Sequence, residues 1–178
     1  MRRLCVFCGS STGSDPRHRE SADRLGRLLV SRGIGVVFGG GSIGLMGVVA
    51  DAALDAGGDV IGVIPHALAA RELAHREVSD MRVVPSMHAR KALMAELSDG
   101  FVALPGGLGT FEELLEIATW GQLGIHRKPV GVLNVGGYYD PLVALLDRAV
   151  DAGFVSPSNR DLIAVAEEPE ALLETLLA

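Results

Sequence analysis

LPGGLGTFEE, residues 104–113, is the stretch that decides the fold. The apolar run at 101–104 predicts a buried strand, and three glycines follow it within four residues. A helix is then expected to open at Thr110, with acidic side chains in its first turn. Glycine lets backbone N–H groups approach a ligand closely. A helix N-terminus adds unpaired donors and partial positive charge, which suit a phosphate. Since Glu113 places a carboxylate beside this anion site, the stretch predicts chemistry on a phosphorylated sugar.

Outward from this stretch, short aliphatic runs alternate with helical segments along the chain. Because the runs are continuously apolar, both faces of each strand must be covered, as in a parallel sheet with helices on each side. We therefore predict an α/β fold, a single Rossmann-like domain over residues 1–178 with a mainly parallel sheet of about seven strands. Strands are expected at 4–8, 34–38, 60–64, 82–84, 101–104, 129–133 and 162–166. Helices are expected at 15–32, 45–56, 67–74, 87–97, 110–122, 140–152 and from 169.

The loops that follow the strands are the predicted ligand site, since ligands on such sheets lie beyond the carboxyl ends of the strands. Four loops fall on that edge, at residues 9–13, 39–44, 65–80 and 105–109. Two of them are glycine-rich and precede helices, which indicates an anionic or nucleotide ligand. The alternative is that these glycines only make tight turns.

Composition limits the classes of function. The chain has 178 residues, 48% apolar and 21% charged, with a net charge of −6. A negative chain argues against a nucleic-acid partner, which needs a basic face. We find neither a signal peptide nor an apolar run long enough to cross a membrane, and expect a soluble cytoplasmic protein. Cys5 and Cys8 lie within a strand, without a second cysteine pair, and are expected to be buried apolar side chains rather than metal ligands.

The second glycine loop, residues 39–44, matches the G-x-G-x-x-G pattern of dinucleotide sites. Such sites need an acid at the end of the next strand, and here Asp59 lies at the wrong end. The loop at 105–109 lacks the lysine of a Walker motif, which argues against NTP hydrolysis. Of the two lysines, neither Lys91 nor Lys128 lies near a pyridoxal motif. The sequence therefore predicts no cofactor and no metal.

A second informative segment is MHARKALM at residues 87–94. Met87, Arg90, Lys91 and Met94 recur at helical spacing and share one face. Either the two cations extend from an apolar stripe into solvent, or Arg90 clamps a phosphate or carboxylate with its planar guanidinium. The sequence leaves both interpretations open.

Together these motifs resemble the LOG family, cytokinin riboside 5′-monophosphate phosphoribohydrolases that are often mislabelled lysine decarboxylases. PGGLGTFEE at 105–113 matches the family's P-G-G-x-G-T-x-x-E signature, and MHARK at 87–91 its M-H-x-R-K helix. GGGS at 39–42 followed by GLMG at 44–47, TWGQLGIH at 119–126, KPVG at 128–131 and GYY at 137–139 also look like the family. The match covers nearly the whole chain.

The resemblance implies a homodimer that hydrolyses the N-glycosidic bond of N6-substituted adenosine 5′-monophosphates, and of AMP, to free base and ribose 5-phosphate. It implies Arg90 and Glu113 as the catalytic pair. The substrate-binding residues that it implies are Glu72, Arg90, Lys91, Gly107, Leu108, Gly109, Thr110, Phe111, Glu112, Glu113 and Thr119. We expect the second glycine loop to add Gly40, Gly41 and Ser42. Apolar side chains of the helix after the signature, at 114, 115, 117 and 118, are one candidate for the association surface.

Two other functions remain open. Related Rossmann-like carriers, such as molybdenum-cofactor carriers, hold phosphorylated pterins without turning them over. The pairing of Arg90 with Glu113 favours an enzyme, since phosphate retention alone gains nothing from a carboxylate. A broader nucleotide nucleosidase would differ in accepting unmodified or non-adenine monophosphates.

Overall fold

Seven parallel strands form one sheet in the computed structural model, which describes residues 1–69, 74–78 and 80–178. Numbered along the chain, the strands are β1 (Arg3–Phe7), β2 (Gly35–Phe38), β3 (Val60–Pro65), β4 (Asp80–Val84), β5 (Gly100–Ala103), β6 (Val130–Leu133) and β7 (Ile163–Ala166). Their order in the sheet is β4-β3-β2-β1-β5-β6-β7, and neighbouring strands pair in parallel throughout. The parallel sheet predicted from the aliphatic runs is confirmed.

The helices follow the predicted segments with three differences, the third of which concerns the start of the helix after the signature. They are α1 (Pro16–Ser31), α2 (Gly44–Asp55), α3 (His66–Ala69), α4 (Met87–Leu97), α5 (Leu108–Gln122), α6 (Asp140–Asp151), α7 (Pro157–Arg160) and α8 (Pro169–Leu177). The short helix α7 was not predicted. The helix expected over 67–74 is described only as α3, because residues 70–73 lie outside the described residues.

Helix α5 begins two residues earlier than predicted, with Gly107 rather than a side-chain cap before it. Its first turn therefore contains no acidic residue, and the prediction of acid in that turn is wrong. Glu113 instead projects from the second turn. This separates the carboxylate from the exposed N–H groups at the helix start, so an anion can bind there without meeting the acid directly.

The five inner strands, β1, β2, β3, β5 and β6, bury both of their faces, as the absence of polar alternation predicts. The two edge strands, β4 and β7, are partly exposed, and the prediction is wrong for them. Leu4 and Val6 of β1 join a core with side chains from α1, α2 and α8. Cys5 and Phe7, on the opposite face, join a second core with side chains from α4, α5 and α6. Side chains alternate along a strand, so one aliphatic run supplies both layers.

The apolar side chains of α5 divide between this second core and the surface. Leu114 and Ile117, which the sequence offered as part of an association surface, are buried in the core. Leu115 remains 40% exposed.

The chain reverses its direction of winding between β1 and β5, which are neighbours at the middle of the sheet. The loop after β1 leads to α1 on one face, whereas the loop after β5 leads to α5 on the other. Such a switch point leaves a crevice beyond the strand ends, where ligands bind in open α/β sheets. Among the described residues, no helix is both long and apolar enough to cross a bilayer.

Candidate active site

A cleft of about 230 Å3 opens at the switch point between β1 and β5. It brings together the ends of β1 and β2, the glycine loop after β5, and the first turns of α4 and α5. Its lining residues are Val6, Cys8, Gly9, Ser10, Gly39, Met46, Leu68, Met87, Arg90, Gly107, Leu108, Gly109, Thr110 and Glu113. Both predicted catalytic residues and the predicted residues 107–110 are therefore in one cavity.

Carbonyl groups of the loop after β5 accept hydrogen bonds from two tyrosines and from the loop after β1. The Tyr139 hydroxyl donates to the Leu104 carbonyl at 2.7 Å, and the Tyr138 hydroxyl donates to the Gly106 carbonyl. The Gly9 N–H donates to the Pro105 carbonyl at 3.1 Å. The first N–H groups of α5 have no partner within the helix. They lie at the cleft with the partial positive charge of the helix, ready to bind an anion.

The glycine at position 106 is required by close packing. A Cβ there would lie 2.1 Å from Thr110 Oγ1 and 2.9 Å from the Gly9 nitrogen. Thr110 is only 3% exposed, so it lies beneath the loop. By contrast, Cβ atoms at Gly107 and Gly109 would meet nothing within 4 Å, which leaves their backbone open to a ligand.

A second helix N-terminus meets the first at the loop after β1. The Leu45 N–H at the start of α2 donates to the Gly9 carbonyl at 2.9 Å. Gly44 has a φ of 62°, and a Cβ there would lie 2.2 Å from the Ser10 carbonyl carbon. Neither α2 nor α5 has a side-chain hydrogen bond from its N-cap residue. Two partial positive charges thus converge near Gly9 and Ser10.

A second cavity of about 340 Å3 adjoins the cleft and shares Gly9, Ser10 and Gly107 with it. Its other lining residues are Ser11, Thr12, Gly13, Ser14, His18, Leu45, Pro105, Gly106 and Tyr138. The His18 and Tyr138 rings meet edge to face at 5.5 Å. None of the described residues that line this cavity carries a carboxylate. It therefore offers hydroxyl and N–H donors without an opposing negative charge.

Arg90 is fixed in the cleft by its own helix and by the second glycine loop. The Ser86 side chain caps α4 by accepting from the Ala89 N–H at 3.1 Å, which places Arg90 in the first turn. The residue is 5% exposed, and its Nη2 donates to the Gly39 carbonyl at 2.9 Å. Of the two interpretations that the sequence left open, extension into solvent is wrong, because Arg90 points inward.

Glu113 is buried against the same cleft, at 9% exposure. Burial raises the pKa of the Cys8 thiol well above its usual range, the Glu113 carboxylate raises it further, and Arg90 opposes the shift. Both charges therefore act on Cys8 at the floor of the cleft. The thiol stays protonated, and with Cys5 also buried and its pKa raised, the pair are apolar side chains as expected.

Lys91 and Glu112 lie beside the cleft rather than within its described lining. The Lys91 ammonium donates to Glu112 Oε1 at 2.8 Å and to Glu116 Oε1 at 3.0 Å. These contacts raise the pKa of Lys91, with the Glu112 hydrogen bond as the largest cause. Phe111 also lies outside the described lining of the cleft, and its ring stacks on the Tyr138 ring with 6.5 Å between the ring centroids.

The other predicted residues that the structure describes do not line the cleft. Thr119 is exposed on α5, and its hydroxyl donates to the Leu115 carbonyl at 2.7 Å. Gly40 packs against β3, where a Cβ would lie 3.1 Å from Ile64 Cβ. Gly41 forms an isolated bridge with Ala74, and Ser42 lines a separate cavity. Glu72 lies outside the described residues.

Several lining residues were not predicted from the sequence. Met46, Leu68 and Met87 supply an apolar wall, and Cys8 the floor. The run GSSTGS at 9–14 was a usable signal, since it combines glycine with hydroxyl side chains directly after a strand. Among the described residues, no group of three or more His, Cys, Asp or Glu side chains is arranged to hold a metal ion.

Comparison with known proteins finds similarity to a protein family, to individual relatives and to solved structures. Residues 46–176 match a family model described as possible lysine decarboxylase. The chain is 55% identical over 176 residues to cytokinin riboside 5′-monophosphate phosphoribohydrolase LOG3 of Arabidopsis thaliana, covering 99% of this chain and 82% of that protein. It is 54% identical to a probable enzyme of the same name, LOGL2, of Oryza sativa subsp. japonica, covering 99% and 72%. Among solved structures, the molybdenum cofactor carrier protein of Chlamydomonas reinhardtii superposes with a TM-score of 0.72 at 25% identity, covering 99% and 98% of the two chains.

Proposed function

The chain belongs to the LOG family of cytokinin riboside 5′-monophosphate phosphoribohydrolases, and we propose that it hydrolyses the N-glycosidic bond of N6-substituted adenosine 5′-monophosphates and of AMP. The products are the free base and ribose 5-phosphate. The observation that carries this proposal is the buried Glu113 carboxylate in the same cleft as the N-terminus of α5. In this proposal the substrate phosphate binds at the N-terminus of α5, while the Glu113 carboxylate acts on the ribose.

The two cavities orient the nucleotide by charge. The phosphate lies on the N–H groups at the start of α5, on the side of the second cavity, because this side lacks a carboxylate. The ribose then spans the cleft between Glu113 and Arg90. The base lies against Met46, Leu68 and Met87, whose flexible apolar side chains adapt to different N6 groups.

In the reaction, the bond from C1′ of the ribose to the base nitrogen breaks, and the oxygen of water bonds to C1′. The electron pair of the broken bond leaves with the base, which takes up a proton, and the attacking water gives up one proton, so that OH is added to C1′ and H to the base. Positive charge develops on the ribose, as in glycoside hydrolysis. Glu113 stabilises that charge and orients the attacking water, while Arg90 offsets negative charge on the departing base. Binding of the phosphate fixes C1′ between them.

Incubation of the purified chain with AMP and N6-isopentenyl-AMP tests the proposed function. We expect both to give free base and ribose 5-phosphate, separated and quantified by chromatography. Adenosine, which lacks the phosphate, is expected to react at least about 10²-fold more slowly, because remote binding energy is lost. Tight nucleotide binding without base release would instead support a carrier, the function of the Chlamydomonas structural relative. Equal rates with non-adenine monophosphates would identify a broader nucleosidase.

We further propose a homodimer that uses the exposed face of α5. Leu108 and Leu115 are spaced seven residues apart on this face, and Leu123 and Ile125 follow its end. These side chains are 87%, 40%, 65% and 64% exposed. Thr119 lies four residues after Leu115, on the same surface. It therefore reaches a substrate only in the cleft of a second copy, which accounts for the role that the family resemblance implies.

A Leu115→Glu variant is expected to be monomeric, because a charge at the centre of an apolar interface opposes association. Across a concentration series, its activity, measured as base release, should fall together with its dimer fraction, measured by light scattering. Leu145→Glu makes the same change on the exposed face of α6 and is the matched control. A dimeric Leu115→Glu, or a monomer with full activity, would contradict the proposed interface.

A further inference from the structure

Lys91, one of the two lysines in the chain, is buried, at 6% exposure. Its ammonium is held by two carboxylates of α5, Glu112 at 2.8 Å and Glu116 at 3.0 Å. Residues four apart lie on one face of a helix, so these two acids form a single acceptor site. Lys91 thus joins α4 to α5 by two charge-assisted hydrogen bonds, the stronger class in proteins.

The proposed catalytic residues, Arg90 and Glu113, lie on the same two helices as this ion pair, each one residue away from one of its members. Arg90 precedes Lys91 on α4, and Glu113 follows Glu112 on α5. Successive residues on a helix project about 100° apart. Arg90 and Glu113 therefore face the cleft while Lys91 and Glu112 face each other beside it. The ion pair fixes the separation of the two helices at the level of the reacting groups.

From this arrangement we infer that Lys91 is a positioning residue for Arg90 and Glu113, and not a ligand of the substrate phosphate. The inference rests on the proposed function. To reach a phosphate, the ammonium would have to leave two carboxylates, and the described lining of the cleft does not include it. Together, Lys91, Glu112 and Glu116 carry a formal charge of −1, which repels a phosphate dianion.

The experiment compares three full-length variants in kcat for AMP and in the Kd of ribose 5-phosphate. Lys91→Met removes the charge but keeps the length of the side chain. Glu112→Gln with Glu116→Gln keeps the lysine but removes its partners. Lys91→Arg keeps the charge. Arg160→Met breaks an ion pair with Asp147 far from the cleft, 2.7 Å long, and is the matched control.

We expect Lys91→Met and the double variant each to lower kcat by about 10- to 10²-fold, since small displacements of reacting groups have effects of this size. The Kd of ribose 5-phosphate should stay within about twofold of wild type in both, and Lys91→Arg should recover most of the lost turnover. If Lys91 only stabilised the fold, its loss would not lower kcat while leaving the affinity for ribose 5-phosphate unchanged. The control should match wild type in both quantities.

A phosphate-binding lysine gives the opposite pattern. Lys91→Met would then weaken ribose 5-phosphate binding by about tenfold or more, the usual effect of one charged contact, and the double variant would bind it as tightly as wild type or more tightly. If Lys91→Met does not fold, the double variant decides alone. If wild type releases no base, the proposed function fails, and the affinity of Lys91→Met for ribose 5-phosphate still decides whether Lys91 binds it.

Discussion

Glu113→Gln is expected to lower turnover of AMP by about 10²- to 10⁴-fold, the range for loss of one acid–base group. Glutamine keeps the size of the side chain and its place in the cleft but removes the negative charge. The developing charge on the ribose then has no buried counter-ion, and a neutral amide orients water poorly. The affinity for ribose 5-phosphate should change little, because its phosphate binds at the start of α5, one turn away.

Single-turnover base release and calorimetric binding of ribose 5-phosphate measure the two quantities separately. Glu96→Gln, which makes the same change at an exposed position of α4, is the control and should match wild type. Turnover within about twofold of wild type in Glu113→Gln would remove the acid from the mechanism, since an acid–base group contributes far more. The cleft would then be a nucleotide-binding site alone.

The sheet could be predicted from the sequence because its strands are short aliphatic runs between glycine and proline. Helix α4 was predicted with its correct bounds, Met87–Leu97, and in the structure Ser86 caps its N-terminus. The predicted start of α5 is two residues late, because the helix begins after Gly107 without a side-chain cap to mark its N-terminus. Local patterns identify elements well but locate a terminus poorly when the backbone itself forms the site.

The site was harder to predict because its geometry depends on distant segments. Arg90 and Lys91 are adjacent in sequence, and only the packing of α4 on α5 sends one into the cleft and the other toward Glu112. The Tyr138 hydroxyl reaches Gly106 across 32 residues of sequence. Such contacts follow from the order of strands in the sheet, and no spacing rule gives them.

The role of the second glycine loop also became clear only in three dimensions. The sequence predicted Gly40, Gly41 and Ser42 as substrate-binding residues, yet the loop residue that lines the cleft is Gly39. Its carbonyl accepts from Arg90 Nη2, and an ideal Cβ on it would lie 2.0 Å from that same nitrogen. Position 39 is therefore glycine so that the guanidinium can lie against the backbone.

Gly39→Ala is accordingly expected to displace Arg90 and lower turnover by about 10²-fold, the size of effect that follows from misplacing a reacting group by about 1 Å. The fold should persist, because the clash is with the end of the Arg90 side chain, and the nearest atom outside Arg90, Met46 Sδ at 3.2 Å, also belongs to a flexible side chain. Gly121→Ala is the control, since its Cβ would meet nothing nearer than 3.5 Å. Thermal unfolding confirms that each variant is folded, and base release gives its rate.

A double variant shows whether the effect of Gly39→Ala passes through the guanidinium. Arg90→Ala removes the atom that the new methyl group strikes, so Gly39→Ala should cost little further turnover in that background. Residues in direct contact are expected to be non-additive in this way. If the two losses instead multiply, the methyl group acts on Met46 or on the backbone of the loop. The effect of Gly39→Ala on turnover would then not depend on Arg90, and glycine at position 39 would be needed only for the shape of the cleft.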